Sequence, residues 1–212
     1  DHSKTTAALA VALWRWHIEV DRMAARDLEL LKTRKDWDEQ KFLLIQGDFF
    51  GIQEFIFSDG SQTRKNAVRL LRGRSFQVSL FTELAALRIL EELELPSTSQ
   101  ITNAAGKFLI VAPNTSTVRE KLKALSSEFD QWFLDHSFGL AGVGIAARPA
   151  SCNDFLETQP ENRFSHLMQK LFEDLEHAKL RRFNLLTDAP TVFEAEYPHG
   201  VCLSHEKLAA VG

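Results

Sequence analysis

The sequence predicts an α+β fold, a ferredoxin-like βαββαβ unit with helices before and after it, on three observations. Strand-length apolar runs and long segments of helical period follow one another between residues 42 and 147 in the order strand, helix, strand, strand, helix, strand. A tight turn, Ala104-Ala105-Gly106, joins the second and third strands, and Gly106 takes a positive φ at little cost. The composition, 44% hydrophobic and 25% charged over 212 residues, is that of a globular chain able to bury one good core or two small ones.

The elements follow in order. Thr5 to Leu31 places Ala8, Leu9, Ala12, Leu13, Trp16, Val20, Met23 and Leu31 at helical spacings, which predicts one or two helices with a buried stripe. Residues 32–41 are charged and aperiodic and mark a boundary. Phe42 to Gln46 is an apolar strand ended by Gly47-Asp48, and Gly51 lets the chain turn into a helix led by Ile52. A helix over Ser75 to Leu95 is expected to turn Phe76, Leu80, Leu84, Leu87 and Leu90 inward, with Pro96 just past its end. Strands at 100–103 and 107–112 flank the turn. Ser116 or Thr117 is expected to cap a helix that buries Val118, Leu122, Leu125, Phe129 and Phe133, with Glu120 at the capping-box position for Thr117. A small-residue strand at 139–147 is expected to be central or to lie closely under a helix. Arg163 to Phe183 forms the last helix, with Leu167, Leu171 and Leu175 inward.

Composition also excludes. No run approaches the ~18 apolar residues that span a bilayer, and the start Asp1-His2-Ser3-Lys4 is not a secretory signal, so a cytoplasmic setting without membrane partners is the default expectation. Two cysteines, Cys152 and Cys202, make no disulfide framework, and Cys152 reads as a small buried hydrophobe. A net charge of −4 requires any nucleic-acid contact to come from a local basic patch. The start without Met, inside a helix, reads as a piece of a longer protein.

Right-handed crossovers insert the third strand antiparallel beside the first, so Asp48 and the Ala104-Gly106 turn should face each other at one end of the sheet. In polymerase and nucleotidyl-cyclase palms this is where carboxylates hold Mg²⁺ on a nucleoside triphosphate, and more than one is needed to balance the charge. The hairpin offers Asn103 and Lys107 and no acid, so a complete metal site is not expected, and a structural or supporting role for Asp48 is favoured over metal ligation. Phe55 and Phe57 read as core or interface rather than stacking platforms. Arg64, Lys65, Arg69, Arg72 and Arg74 form a basic run whose bland reading is a solvated helix face. Its functional reading is phosphate binding, because Gly73-Arg74-Ser75 is expected at a helix amino end.

Four motifs, Asp1-His2-Ser3-Lys4-Thr5-Thr6-Ala7-Ala8, Gly47-Asp48-x-x-Gly51-Ile52-Gln53-x-Phe55-Ile56-Phe57, Leu71-Arg72-Gly73-Arg74-Ser75-Phe76 and Asn103-Ala104-Ala105-Gly106-Lys107-Phe108, occur in this order. Together they resemble the large subunit of type III-A CRISPR effector complexes, the CRISPR polymerase family, over roughly residues 1 to 185. The resemblance implies four parts. Residues 1–40 are the end of a permuted HD nuclease domain plus a linker, and 41–150 are the first of two palms. Residues 151–185 are a helical extension, and 186–212 a tail leading to a truncated zinc ribbon.

It also implies one wall of a composite pocket for ATP with Mg²⁺, in a protein that makes cyclic oligoadenylates on a second palm with a Gly-Gly-Asp-Asp hairpin absent here. On that reading Asp48, Gly51, Gln53, Arg74, Ser75, Asn103, Gly106 and Lys107 are the nucleotide-facing residues and no catalytic residue lies in this chain. The implied partners are the smaller effector subunits, guide RNA and target RNA. Phe50 stands where the family usually has serine. Asp1 and His2 are remnants of the nuclease's metal ligands, and Cys202 with His199 and His205 falls short of the four ligands of a structural zinc, so zinc is not expected. The rival readings are an RRM-like RNA-binding module, for which Phe108 is the single strand-3 aromatic, and a pure scaffold.

Overall fold

The computed structural model describes residues 2–57, 67–156, 162–181, 196–202 and 210. Its elements are α1 (His2–Glu19), α2 (Ala25–Lys32), β1 (Phe42–Phe50), α3 (Ile52–Phe57), α4 (Ala67–Glu92), β2 (Gln100–Ala104), β3 (Lys107–Pro113), α5 (Ser116–Ser137), β4 (Gly142–Ala150) and α6 (Arg163–Leu180). The four strands form one antiparallel sheet in the order β2-β3-β1-β4, the arrangement expected of a ferredoxin-like βαββαβ unit. Among the described residues no helix is long and apolar enough to cross a membrane.

Strand alternation assigns the two cores. Leu43, Ile45 and Phe49 of β1, with Phe108, Ile110 and Ala112 of β3, face α4 and α5. Phe42 and Leu44 face the other way, where Ala8 and Ala12 of α1 and Leu167, Leu171 and Leu175 of α6 cover them. The inward series expected for α5 and α6 are therefore found, with Phe129 packed partly buried against the core. Both sheet faces carry helices, so the RRM-like reading loses its platform: Phe108 is buried beneath α4, and α1 and α6 occupy the opposite face.

Lys41 is fully buried where β1 begins, paired with Asp36, beside His17 Nε2 at 3.4 Å and 5.1 Å from the Trp16 ring centroid. His17 Nδ1 lies 2.8 Å from the Leu13 carbonyl, which fixes the tautomer that leaves Nε2 to accept from Lys41. A buried ammonium needs such partners, and they tie α1 and the following linker to the sheet. Both cysteines are free thiols. Cys152 is half-buried against the α6-side core, and burial pushes its thiol up from the ordinary value.

Several boundaries differ from expectation. β1 does not end at Gly47-Asp48 but runs to Phe50. Gly47 is a close-packing residue instead, since a Cβ there would lie 2.1 Å from Phe108 Cζ. The cap of α5 is Thr115, whose hydroxyl accepts from Val118 N at 3.3 Å, not Ser116 or Thr117. β4 begins at Gly142 because Phe138 and Gly139 take positive φ to end α5, and it is an edge strand that lies under α6 rather than a central one.

The largest correction concerns α4, described from Ala67 rather than from Ser75. It buries Val78, Ala85, Ala86, Ile89 and, as expected, Leu90, while Phe76, Leu80, Leu84 and Leu87 are exposed. Both faces carry apolar residues at helical spacing, so for all but Leu90 periodicity selected the outer one.

Candidate functional site

β1 delivers the site because its last residues run past the hairpin turn. Asp48 sits opposite Lys107 on β3 and Gly144 on β4, and Phe49 N donates to the Gly106 carbonyl at 2.8 Å. Ala105 and Gly106 both take positive φ, which makes the connection a two-residue type I′ turn; alanine occupies one of its left-handed positions. Gly51 also has positive φ, and a Cβ there would meet the Leu140 carbonyl oxygen at 2.1 Å, so the sharp exit from β1 into α3 requires glycine. The juxtaposition of Asp48 with the hairpin turn is the one the topology predicted.

Asp48 is not a strand terminator. Its carboxylate is buried, accepts from Lys179 Nζ of α6 at 2.5 Å, and lies 3.6 Å from Lys107 Nζ. Lys179 also donates to Glu176 at 2.6 Å. Burial pushes the Lys179 ammonium down, but its hydrogen bonds to Asp48 and Glu176 and their charges outweigh that and hold it above the ordinary lysine value. Gly144 makes room for the reach across β4, since a Cβ there would stand 2.8 Å from Lys179 Cγ.

The sequence reading missed Lys179 and Glu176, although a signal was present. Leu167, Leu171 and Leu175 advance by four, and the next position in that series is Lys179, which faces the sheet for the same reason its predecessors do.

Beside this cluster opens a cleft of about 740 Å³ lined by Phe50, Gly51, Ile52, Gln53, Leu140 and Lys179, among others. Gln53 is exposed, and Lys107 is half-exposed, its ammonium 5.5 Å from the Phe172 ring centroid. Phe50 packs over Gly142 and is only partly buried. Phe49, still within β1, is core, among Phe55, Phe81 and Phe133. The side chain of Phe57 lies outside the described residues.

The structure brings together Asp48, Gly51, Gln53, Gly106 and Lys107, and sets three predicted residues apart. Asn103 lies on the other face of the hairpin from Lys107 and donates to Glu83 of α4. Arg74 and Ser75 are inside α4, so the helix amino end expected there does not exist. Arg74 is buried, donates to the Ile56 carbonyl at 2.8 Å and lines an aromatic cavity with Phe55, Phe81, Trp132 and Cys202; burial pushes its guanidinium down from the ordinary value. Ser75 is exposed. His2 opens α1 on the surface, while Asp1, His205, Arg64 and Lys65 lie outside the described residues.

Chemically the cleft offers an apolar wall, the Gln53 amide and the ion-paired Lys179 and Glu176. It does not fit Mg²⁺ through its own side chains: Asp48 is bound to two lysines, Glu176 to one, and no group of three acidic, His or Cys side chains suited to a metal exists among the described residues.

Residues 41–195 match the family model described as Csm1 subunit domain B. A similar curated protein is the "CRISPR system single-strand-specific deoxyribonuclease Cas10/Csm1 (subtype III-A)" of Thermococcus onnurineus (strain NA1), 31% identical over 183 residues, covering 86% of this chain and 22% of the relative. The protein of the same name from Mycobacterium tuberculosis (strain ATCC 25618 / H37Rv) is 26% identical over 87% of this chain and 24% of its own length. Among solved structures, a Csm1-Csm4 cassette in complex with pppApA superposes with a TM-score of 0.74 at 29% identity, over 85% of this chain and 24% of that one. A Csm1-Csm4 cassette with AMPPNP gives 0.62 at 30% identity, over 69% and 20%. The chain thus spans under a quarter of the length of these relatives. On the match of its residues 41–195 to the family's domain B, the chain belongs to the Csm1 family.

Proposed function

We propose that this chain is the first palm of a Csm1-type large subunit and forms one wall of a composite ATP pocket for cyclic oligoadenylate synthesis. The observation that carries the proposal is the cleft at the end of β1, lined by Gly51, Gln53 and Lys179, beside which Lys107 and Lys179 both pair with the Asp48 carboxylate. A neutralised Asp48 does not repel a triphosphate, and Lys107 remains half-exposed to meet one. The pppApA and AMPPNP in the solved structures of similar Csm1 chains support a nucleotide as the ligand.

In this proposal Mg²⁺ and the reacting hydroxyl are held by the second palm, and this chain orients the nucleotide and excludes water from one side. Residues 1–40 are proposed as the end of the HD domain. The small effector subunits, guide RNA and target RNA are proposed as partners of the assembled protein in a cytoplasmic complex.

Calorimetric titration of ATP with Mg²⁺ into the full-length large subunit tests the reading. Lys107→Ala and Gln53→Ala are expected to weaken binding, Lys107→Ala by about tenfold, the worth of one charge-assisted hydrogen bond; Asn103→Ala, on the other face, is expected to leave it unchanged. Unchanged affinity in both of the first two variants overturns the proposal. Residues 1–212 alone are expected to make no cyclic oligoadenylate, and product from ATP and Mg²⁺ overturns that part.

A further inference from the structure

The outer face of α4 is apolar and uncovered. Phe76, Leu80, Leu84 and Leu87 are 66%, 39%, 50% and 45% exposed and stand at i, i+4, i+8 and i+11, a stripe about 16 Å long. It lies opposite the face that Val78, Ala86 and Ile89 already bury. A helix apolar on two opposed faces is one built to lie between two layers, and only one layer is present among the described residues. Beside the stripe, Leu84, Phe129 and Trp132 line a groove of about 270 Å³ between α4 and α5, and Trp132 is 41% exposed.

The charges around the stripe are polarised. Exposed Arg69 and Arg72 lie at its start, and Glu91, Glu92 and Glu128, sharing Arg88, lie at its end. Three carboxylates at one end disfavour a polyanion such as RNA along the stripe.

We infer that the α4 outer face is an intramolecular docking surface, covered by an apolar-faced helix of the same large subunit outside residues 1–212, one acidic near Arg69 and basic near Glu91. The relatives have the chain to supply it, since over three quarters of their length lies outside the matched part. A contiguous apolar patch of this kind marks an interface. The inference rests on family membership and not on nucleotide binding, so ATP affinity is not its readout.

The experiment is hydrogen exchange over α4, read by mass spectrometry on residues 1–212 and on the full-length large subunit, each unmodified and as Leu80→Glu/Leu84→Glu. The α4 amides are expected to exchange about tenfold or more slowly in the full-length protein. The double substitution is expected to erase that difference while leaving the melting temperature of 1–212 within about 2 °C. Should the double substitution unfold 1–212, Leu87→Lys alone serves the same reading. Equal exchange in the two proteins overturns the inference. So does sedimentation of 1–212 as a dimer that the substitution dissociates, which assigns the face to a second copy, and so does α4 protection that appears only when RNA is added.

Discussion

Replacing Lys179 with methionine tests the electrostatic account of the site most directly. The substitution keeps the aliphatic stem over Gly144 and deletes the ammonium that Asp48 accepts from at 2.5 Å. Asp48 is then a carboxylate with 7% side-chain exposure whose remaining cation, Lys107, is 3.6 Å away and 47% exposed. Breaking a buried pair by removing one partner costs about 3–5 kcal/mol. Lys107 and the open side of the cleft offset part of that, so a loss of about 2–3 kcal/mol is expected, or about 5–10 °C in melting temperature for a chain of this size. Near-UV circular dichroism melts and urea titrations, using the four tryptophans, measure both. Adding Asp48→Asn to Lys179→Met is expected to recover most of the loss, because the uncompensated charge is gone.

The pH dependence has a definite sign. Lys179 is held above the ordinary lysine value in the folded state, so its contribution is complete at neutral pH and is lost as pH rises through the folded value. The stability gap between the unmodified protein and Lys179→Met should therefore shrink above about pH 10.4. If Lys179→Met costs no more than the half-exposed Lys107→Ala, expected at under about 1 kcal/mol, the account of Asp48 is refuted.

Other substitutions separate structural from ligand-facing roles. Gly51→Ala forces a positive φ on alanine and a Cβ against the Leu140 carbonyl, so a loss of about 3 kcal/mol or more in urea-unfolding stability is expected. Arg74→Ala is expected to lower the melting temperature while leaving ATP affinity of the folded protein unchanged, since Arg74 is bonded to the Ile56 carbonyl away from the cleft; a calorimetric loss without a stability loss would reverse that. Leu171→Ala, fully buried between α6 and the sheet, should cost about 2–5 kcal/mol in denaturant titration. Phe50→Ser removes a ring from the cleft wall without touching the Phe49 core. A change in ATP affinity measured by calorimetry is expected, and none would place Phe50 outside the nucleotide's reach.

The βαββαβ order, the antiparallel placement of β3 beside β1, and the meeting of Asp48 with the hairpin turn were legible in the sequence, because strand and helix periods and crossover handedness are local or nearly local rules. The positive-φ positions at Gly51 and Gly106 were legible for the same reason. What failed had a common cause. Gly47 and Gly73 were read as punctuation, whereas each sits inside a regular element: Gly47 gives space to the Phe108 ring, and nothing lies within 4 Å of a Cβ at Gly73. Which of the two apolar faces of α4 turns inward depends on a sheet built from residues far along the chain, and no window of helix sequence contains that information.

The site divides in the same way. By itself the sequence determined the strand, turn and short helix that carry Asp48, Gly51, Gln53, Gly106 and Lys107, and it determined that the hairpin holds no second carboxylate. Only the tertiary structure decided what Asp48 does. Its partner Lys179 is 131 positions away on a helix that crosses β4 to reach it, and in that setting the carboxylate is satisfied by ammonium groups instead of standing open for a metal. A charge buried at the end of one strand takes its role from whichever side chain the packing of another element delivers, and that delivery is fixed by the whole core rather than by the neighbouring sequence.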